Sequence, residues 1–304
     1  MKNFWNICLR WSRERFPIPA VLLYSGAQFY MAYFFGGRLP DARPPVLGET
    51  LAGWALLFLM LLRLRIADEQ KDFHQDVQAY PERLLSRGII TMRHLWKLFA
   101  CALAAEIALC VALGWPVLVL WAAINAWFFL MGVEFFAPKF LNAHIGWYLV
   151  THQLLVPVFA ILPLAMRANS FATARAAWLQ WLPFLAALMC GTMTYEIARK
   201  TWAPNREHPH AVSYTRSWGI PATVAVNQVF AWTCSGLLIM LMVESGTSLA
   251  AAPMLAANAV FLAVELRFWR TPTPAWSKRV EFCGAIAMFV FFACATWAFA
   301  LAGT

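Results

Sequence analysis

The chain has 304 residues, of which 62% are hydrophobic and 13% charged, and it carries 16 Trp, 24 Phe and a formal charge of +9. Soluble globular domains hold about 25% charged residues, so this balance excludes a disordered chain, a collagen-like chain and a disulfide scaffold, and it argues against a soluble enzyme. On such an apolar chain the positive charge reads as a membrane-surface signal before a nucleic-acid one.

In chain order, the first segment is basic from Lys2 to Arg15. Trp5 and Trp11 with Arg10, Arg13 and Arg15 predict a short helix lying at the membrane interface, and no small-residue cleavage site follows the first apolar run, as a cleaved signal would require. Apolar runs then recur at 17–36, 46–64, 91–112, 115–136, 146–166, 177–198, 219–243, 248–265 and 281–302. A helix needs about 20 apolar residues to cross a bilayer, and the runs lack the alternation of a barrel strand. They predict an all-α integral membrane bundle of about nine transmembrane helices, a single domain over 1–304. Pro116, Pro157, Pro163 and Pro183 are candidate kinks or helix ends. The seven cysteines (Cys8, Cys101, Cys110, Cys190, Cys234, Cys283 and Cys294) form no C-x-x-C pair, and six lie in apolar runs, so they read as small buried hydrophobes.

Placing the N-terminus in the cytoplasm puts all but four of the 24 basic residues on that side, Arg63 counted among them, and leaves Arg38, Arg43, Arg167 and Arg175 for the other. That bias supports the topology and leaves the C-terminus outside. The long polar connections 65–90, 137–146 and 199–218 share the cytoplasmic side. The expectation is a multi-pass protein of the cell inner (plasma) membrane whose cytoplasmic face carries the chemistry.

The stretch from Asp68 to Asp76 places Asp68, Glu69, Asp72 and Asp76, four carboxylates, within nine residues. Asp68, Asp72 and Asp76 fall at i, i+4, i+8 and share one helix face. Like charges so spaced cost roughly 0.2–0.5 kcal/mol per pair, so the cluster either solvates that face or holds cations. Mg²⁺ takes oxygen ligands of this kind, usually one or two carboxylates plus substrate phosphates.

Arg83 follows Asp76 by seven residues, and Gly88 follows Arg83 by five. Here the chain resembles the UbiA superfamily of intramembrane prenyltransferases. The family's first aspartate-rich motif reads N-D-x-x-D-x-x-x-D, followed by R-P-L/I-x-S-G-x-I-S. In this chain Asp68 replaces the Asn, Glu69 the first Asp, and Leu84 the Pro, while Arg83 and Gly88 are kept. Two weaker matches lie downstream. Phe135-Phe136-Ala137-Pro138-Lys139 stands where the family often has Y-x-x-x-K, with Phe135 lacking the hydroxyl. The second motif, D-x-x-x-D, falls on Glu196-Ile197-Ala198-Arg199-Lys200, with Lys200 in place of an aspartate. Val212, Thr215 and Gly219 echo a G-V-x-T…G ending, with an insertion of a few residues.

The resemblance implies a Mg²⁺-dependent transfer of a polyprenyl group from a diphosphate donor to an aromatic or lipid-soluble acceptor. By the same resemblance Asp72, Asp76 and Glu196 are the catalytic candidates, and Asp68, Glu69, Asp72 and Asp76 the metal ligands. Arg83, Lys139, Arg199 and Lys200 would contact the diphosphate. Arg199 and Lys200 also fit a plainer role, an intramolecular salt bridge with Glu196, and Lys139 that of an ordinary membrane anchor.

Ionisable groups at bilayer depth are costly and mark candidate sites. Glu106 and His152 are such groups, with Asn125, Asn227 and Gln228 as milder cases. His152 and Asn125 are the candidates for acceptor binding, against the alternative of satisfied interhelical hydrogen bonds. His208 and His210 flank Pro209, but nothing nearby completes a tetrahedral metal set. Two rival readings keep the bundle: an intramembrane terpene cyclase using the same metal site, and a non-catalytic transporter or isoprenoid-binding protein, which the altered second motif favours. Nucleic acid is not an expected partner, because the basic residues are spread over membrane loops.

Overall fold

The computed structural model describes residues 2–39, 42–168, 171–207 and 211–302; the His208–His210 pair lies outside them. Among the described residues the chain is all-α. The helices are α1 (Lys2–Arg15), α2 (Ile18–Gly36), α3 (Leu47–Lys71), α4 (Phe73–Ala79), α5 (Met92–Leu113), α6 (Trp115–Gly132), α7 (Pro138–Ala143), α8 (Ile145–Gln153), α9 (Leu155–Arg167), α10 (Phe171–Arg199), α11 (Tyr214–Trp218), α12 (Ile220–Glu244), α13 (Ala251–Arg270) and α14 (Pro274–Ala302), with short 3₁₀ turns at Glu134–Phe136, Pro204–Arg206 and Ser248–Ala250.

Among the described residues, eight helical segments are long and apolar enough to cross a membrane: 18–36, 47–71, 92–113, 115–132, 145–167, 220–244, 248–270 and 274–302. They match eight of the nine predicted runs. The other, 177–198, lies within α10, a helix of 29 residues that includes Pro183 and ends at Arg199. The run at 146–166 is divided at Leu154 into α8 and α9. Pro157 accounts for the division, because it has no N–H to give to the preceding turn. Pro116 instead occupies the first turn of α6, where the missing N–H costs nothing.

The described residues divide into two compact units, one of residues 2–29, 45–137 and 211, the other of 30–39, 42–44, 138–168, 171–207 and 212–302. In the first unit, α3 packs against α5, and α5 against α6 and α1. Its core joins Trp11 and Phe16 to Ile66, Leu84, Leu85, Ile90 and Leu95. The interfacial helix predicted at the N-terminus is thus a helix, and its Trp11 side is fully buried rather than laid on lipid. In the second unit, α10 packs against α9, α12 and α14, and α13 packs against α12 and α14. Small residues allow the closest approach there: a Cβ added at Gly284 of α14 would lie 2.5 Å from the Ala198 Cβ of α10.

Arg63 corrects one expectation. The sequence groups it with the cytoplasmic loop residues, but it lies inside α3 and is 4% exposed. It therefore carries no weight in the charge bias. Its guanidinium is held by Glu106 of α5, in two bonds of 2.6 Å.

Candidate functional site

The acidic motif of the first unit begins on a helix rather than in a loop. The segment Arg65–Lys71 contains good helix formers, so α3 runs on past the apolar stretch to Lys71. Asp72 then joins α3 to α4, with φ −90° and ψ 1°. Even so, the backbone ladder is continuous. The N–H of Asp72 donates to the Asp68 carbonyl at 2.9 Å, that of Asp76 to Asp72 at 2.8 Å, and that of Tyr80 to Asp76 at 2.8 Å. The i, i+4 relation between the three aspartates is therefore present in the backbone.

The carboxylates are embedded among arginines. Arg15, the last residue of α1, donates from Nε to Glu69 Oε1 at 2.6 Å and from Nη2 to Asp76 Oδ2 at 3.0 Å. Arg65 donates to the same oxygen of Glu69. Arg83 donates to the same oxygen of Asp76 at 2.5 Å, and its guanidinium lies 3.6 Å from the Tyr80 ring centre. Glu69 is 2% exposed, so its charge requires such partners.

The segment after the motif is shaped by two backbone devices. Gly88 has φ 68°, a left-handed conformation that glycine adopts without penalty. Thr91 and His94 then cap the start of α5 reciprocally. Leu84, where the resembled motif has Pro, keeps an N–H, and it donates this to the Glu14 carboxylate at 3.3 and 3.4 Å.

The Phe135 position lies in a conformation the sequence did not announce. Glu134, Phe135 and Phe136 have φ of 49°, 52° and 57°, three successive left-handed residues without a glycine. Each costs roughly 1–2 kcal/mol. Lys71, next to Asp72 in the chain, reaches the Glu134 carboxylate at 2.9 Å.

The polar groups at depth in this unit form one network. Glu106, fully buried, accepts from Arg63 and, at 2.7 Å, from Trp121 Nε1. Asn125 accepts from Arg63 Nη2 at 2.6 Å and donates to the Trp121 carbonyl at 2.8 Å. Both ends of the Asn125 amide are thus engaged within the network.

In the second unit, Glu196 accepts from Arg199 Nη2 at 2.7 Å and pairs with Lys200 Nζ at 2.9 Å. The salt bridge open to these residues from the sequence is present. Arg199 is half-exposed, whereas Glu196 is mostly covered. Below them Ile197 and Met193 pack with Leu149 of α8 and Tyr214 of α11. Burial raises the Tyr214 phenol well above its ordinary value, and the Glu196 charge adds to the effect. On α8, His152 stacks on Tyr148 with ring centres 3.8 Å apart, and its Nδ1 lies 2.9 Å from the Tyr148 carbonyl oxygen. Lys139 is exposed on α7.

In the described part of the polar connection after α10, Thr215 of the residues that resembled the family's ending makes two hydrogen bonds. Thr215 Oγ1 accepts from the Trp202 N–H at 3.0 Å and donates to Glu207 at 3.0 Å. Gly219 has φ 79° and starts α12, while Val212 is exposed.

Sequence reasoning missed Glu265. It is fully buried in α13, accepting from Asn227 Nδ2 at 2.8 Å and Gln228 Nε2 at 2.7 Å. Its position at the predicted end of a run made it look like a boundary residue. The two amides of α12, already noted as polar at depth, were the available signal.

Among the described residues, no three His, Cys, Asp or Glu side chains are grouped to hold a metal ion. The donor set of the first motif nevertheless suits a hard divalent cation in its chemistry, four carboxylates and no soft ligand. Its geometry is that of ion pairs, because Glu69 and Asp76 turn to arginines.

Two solved structures match the chain. One, described as digeranylgeranylglyceryl phosphate synthase, aligns with a TM-score of 0.64 over 99% of this chain and 100% of its own, at 12% identity. The other, the apo structure of a UbiA homolog from Aeropyrum pernix K1, gives 0.62 over 88% of this chain and 96% of its own, at 16% identity. No family's sequence pattern matches the chain, and no curated protein matches it. The likeness is one of fold, and it agrees with the resemblance carried by residues 68–91: the chain has the UbiA-type intramembrane fold.

Proposed function

We propose that the protein is an intramembrane prenyltransferase, moving a polyprenyl group from a diphosphate donor to an aromatic or lipid-soluble acceptor. The observation that carries this reading is the first motif: Asp68, Asp72 and Asp76 on one backbone ladder, with Arg83 on Asp76 and Gly88 in a left-handed turn, all on a UbiA-type fold. Asp72 and Asp76 would hold Mg²⁺, with Asp68 and Glu69 beside them. When bound, Mg²⁺ neutralises charge on the leaving diphosphate oxygens. Arg83 offers a guanidinium to phosphate from the first motif. Lys139, Arg199 and Lys200 are the other phosphate candidates that the resemblance implies, and Glu196 sets the charge balance of Arg199 and Lys200. His152 is the acceptor-side candidate, since the Asn125 amide is already used by Arg63 and Trp121. The active face is cytoplasmic, in the inner membrane, following the charge bias of the loops.

One observation favours a second reading, an isoprenoid-binding or transport protein without catalysis. The single carboxylate of the second motif is consumed by Arg199 and Lys200.

The test is thermal stability of the detergent-purified chain with a non-hydrolysable prenyl diphosphate analogue, with and without Mg²⁺. A ligand that binds only the native state raises stability with its concentration. The prenyltransferase reading expects a Mg²⁺-dependent gain that Asp72→Asn abolishes, followed by prenylated product in an acceptor screen. A terpene cyclase would instead yield product with no acceptor present. Transport without product would support the second reading, and no gain under any condition would overturn the proposal.

A further inference from the structure

Helix α1 reaches the first motif at Arg15 and the segment that follows it at Glu14. Arg15 bridges Glu69 on α3 and Asp76 on α4. One residue earlier, Glu14 accepts the N–H of Leu84, a hydrogen bond that the proline of the resembled motif could not form. Trp11 and Phe16 fix the helix below these contacts, in a core shared with Ile66, Leu84, Leu85, Ile90 and Leu95. The α1 helix is thus docked on the motif itself, and not merely near it.

We propose that Arg15 is the motif's own counter-cation, and that a divalent cation competes with it for Glu69 and Asp76. The inference rests on the reading of the first motif as a Mg²⁺ site. Glu69 is nearly fully buried and requires a cation beside it. Arg15 supplies that cation with a planar fork that reaches two carboxylates at once. One oxygen of each carboxylate takes two guanidinium bonds: Glu69 Oε1 from Arg15 and Arg65, and Asp76 Oδ2 from Arg15 and Arg83. With that oxygen taken twice over, each carboxylate has at most its other oxygen to offer an ion that demands near-octahedral oxygen ligands at about 2.0–2.1 Å. A second cation placed there would also repel the guanidinium. Arg15 therefore yields Asp76 and Glu69 as the divalent cation binds, and the end of α1 loosens with it. The affinity of the motif for metal is then set in part by a helix outside the motif.

The experiment uses the full chain in detergent with Mn²⁺ as probe, bound ion being read from the loss of the free-ion electron paramagnetic resonance signal. Arg15→Gln is expected to bind Mn²⁺ about ten-fold tighter than wild type, the loss of one competing charged contact. Arg15→Lys keeps the charge but cannot bridge two carboxylates, so it falls between them. Arg10→Gln, exposed on the same helix, leaves affinity unchanged. In wild type, Mn²⁺ is expected to speed tryptic cleavage after Arg13, and in Asp72→Asn to leave it unchanged. This readout needs no folded Arg15 variant. Equal affinities with an unaltered cleavage rate would overturn the inference and leave the metal reading standing. Weaker binding by Arg15→Gln would also overturn it, since Arg15 would then support the ion. No Mn²⁺ uptake by any variant would overturn both.

Discussion

Arg63 and Glu106 face each other across α3 and α5 in two parallel N–H···O bonds of 2.6 Å each, inside segments apolar enough to span a bilayer. The pair is closed off by Phe99, Trp121 and Phe128, whose ring centres lie 5.2 to 6.0 Å from the guanidinium. Removing one partner strands the other charge. Arg63→Leu or Glu106→Leu alone should cost about 3–5 kcal/mol, nearer the lower end in a membrane setting. The double variant Arg63→Leu with Glu106→Leu should cost less than the sum. Thermal melts of the three variants in detergent measure the coupling, and additive losses would show that the pair contributes none.

The contact between Gly284 and Ala198 sets the position of the α10 end that carries Glu196. Gly284→Ala would bring two Cβ atoms to 2.5 Å, so the helices must separate. An overpacking loss of roughly 1–3 kcal/mol is expected. Gly236→Ala, where nothing lies within 4 Å, is the matched control and should be neutral or stabilising. The comparison is read as a difference in Tm.

Glu196 balances one of the two cations beside it. Glu196→Gln should leave Arg199 and Lys200 more available to anions and tighten inorganic diphosphate binding roughly five-fold, about 1 kcal/mol. Calorimetry at low and high salt checks both the gain and its screening. An unchanged affinity would remove Arg199 and Lys200 from the phosphate contacts.

The left-handed turn at Glu134–Phe136 gives a test free of side-chain chemistry. Phe136 is exposed, and its φ is 57°. Phe136→Ala and Phe136→Gly both lose the ring, but only glycine is at ease at that φ. The glycine variant should be the more stable of the two by about 1 kcal/mol. Equal melting temperatures would mean that the turn is unstrained.

The helices were legible because an apolar run of bilayer length has little use except to span a membrane, and eight such runs form long apolar helices. The first motif was legible because its spacing survives as a backbone ladder. What surrounds it was not. Arg15 is 54 residues from Glu69 and 61 from Asp76, and no local pattern announces so distant a pairing. Arg63 was misplaced for a related reason: at the end of an apolar run, an arginine paired across helices looks the same as a loop anchor. Glu265 was overlooked at a similar boundary. The left-handed turn had no glycine to mark it.

The docking of α1 also bears on how the chain is made. Synthesis proceeds from the N-terminus, so α1 leaves the ribosome well before its partners exist. Glu14 waits through 70 residues for the Leu84 N–H. By then α2 and α3 have been threaded and only the closing of a long loop is left, a step whose entropy grows slowly with loop length. Although translated before its partners, α1 thus completes its contacts late in biogenesis, once the polar segment it covers has emerged.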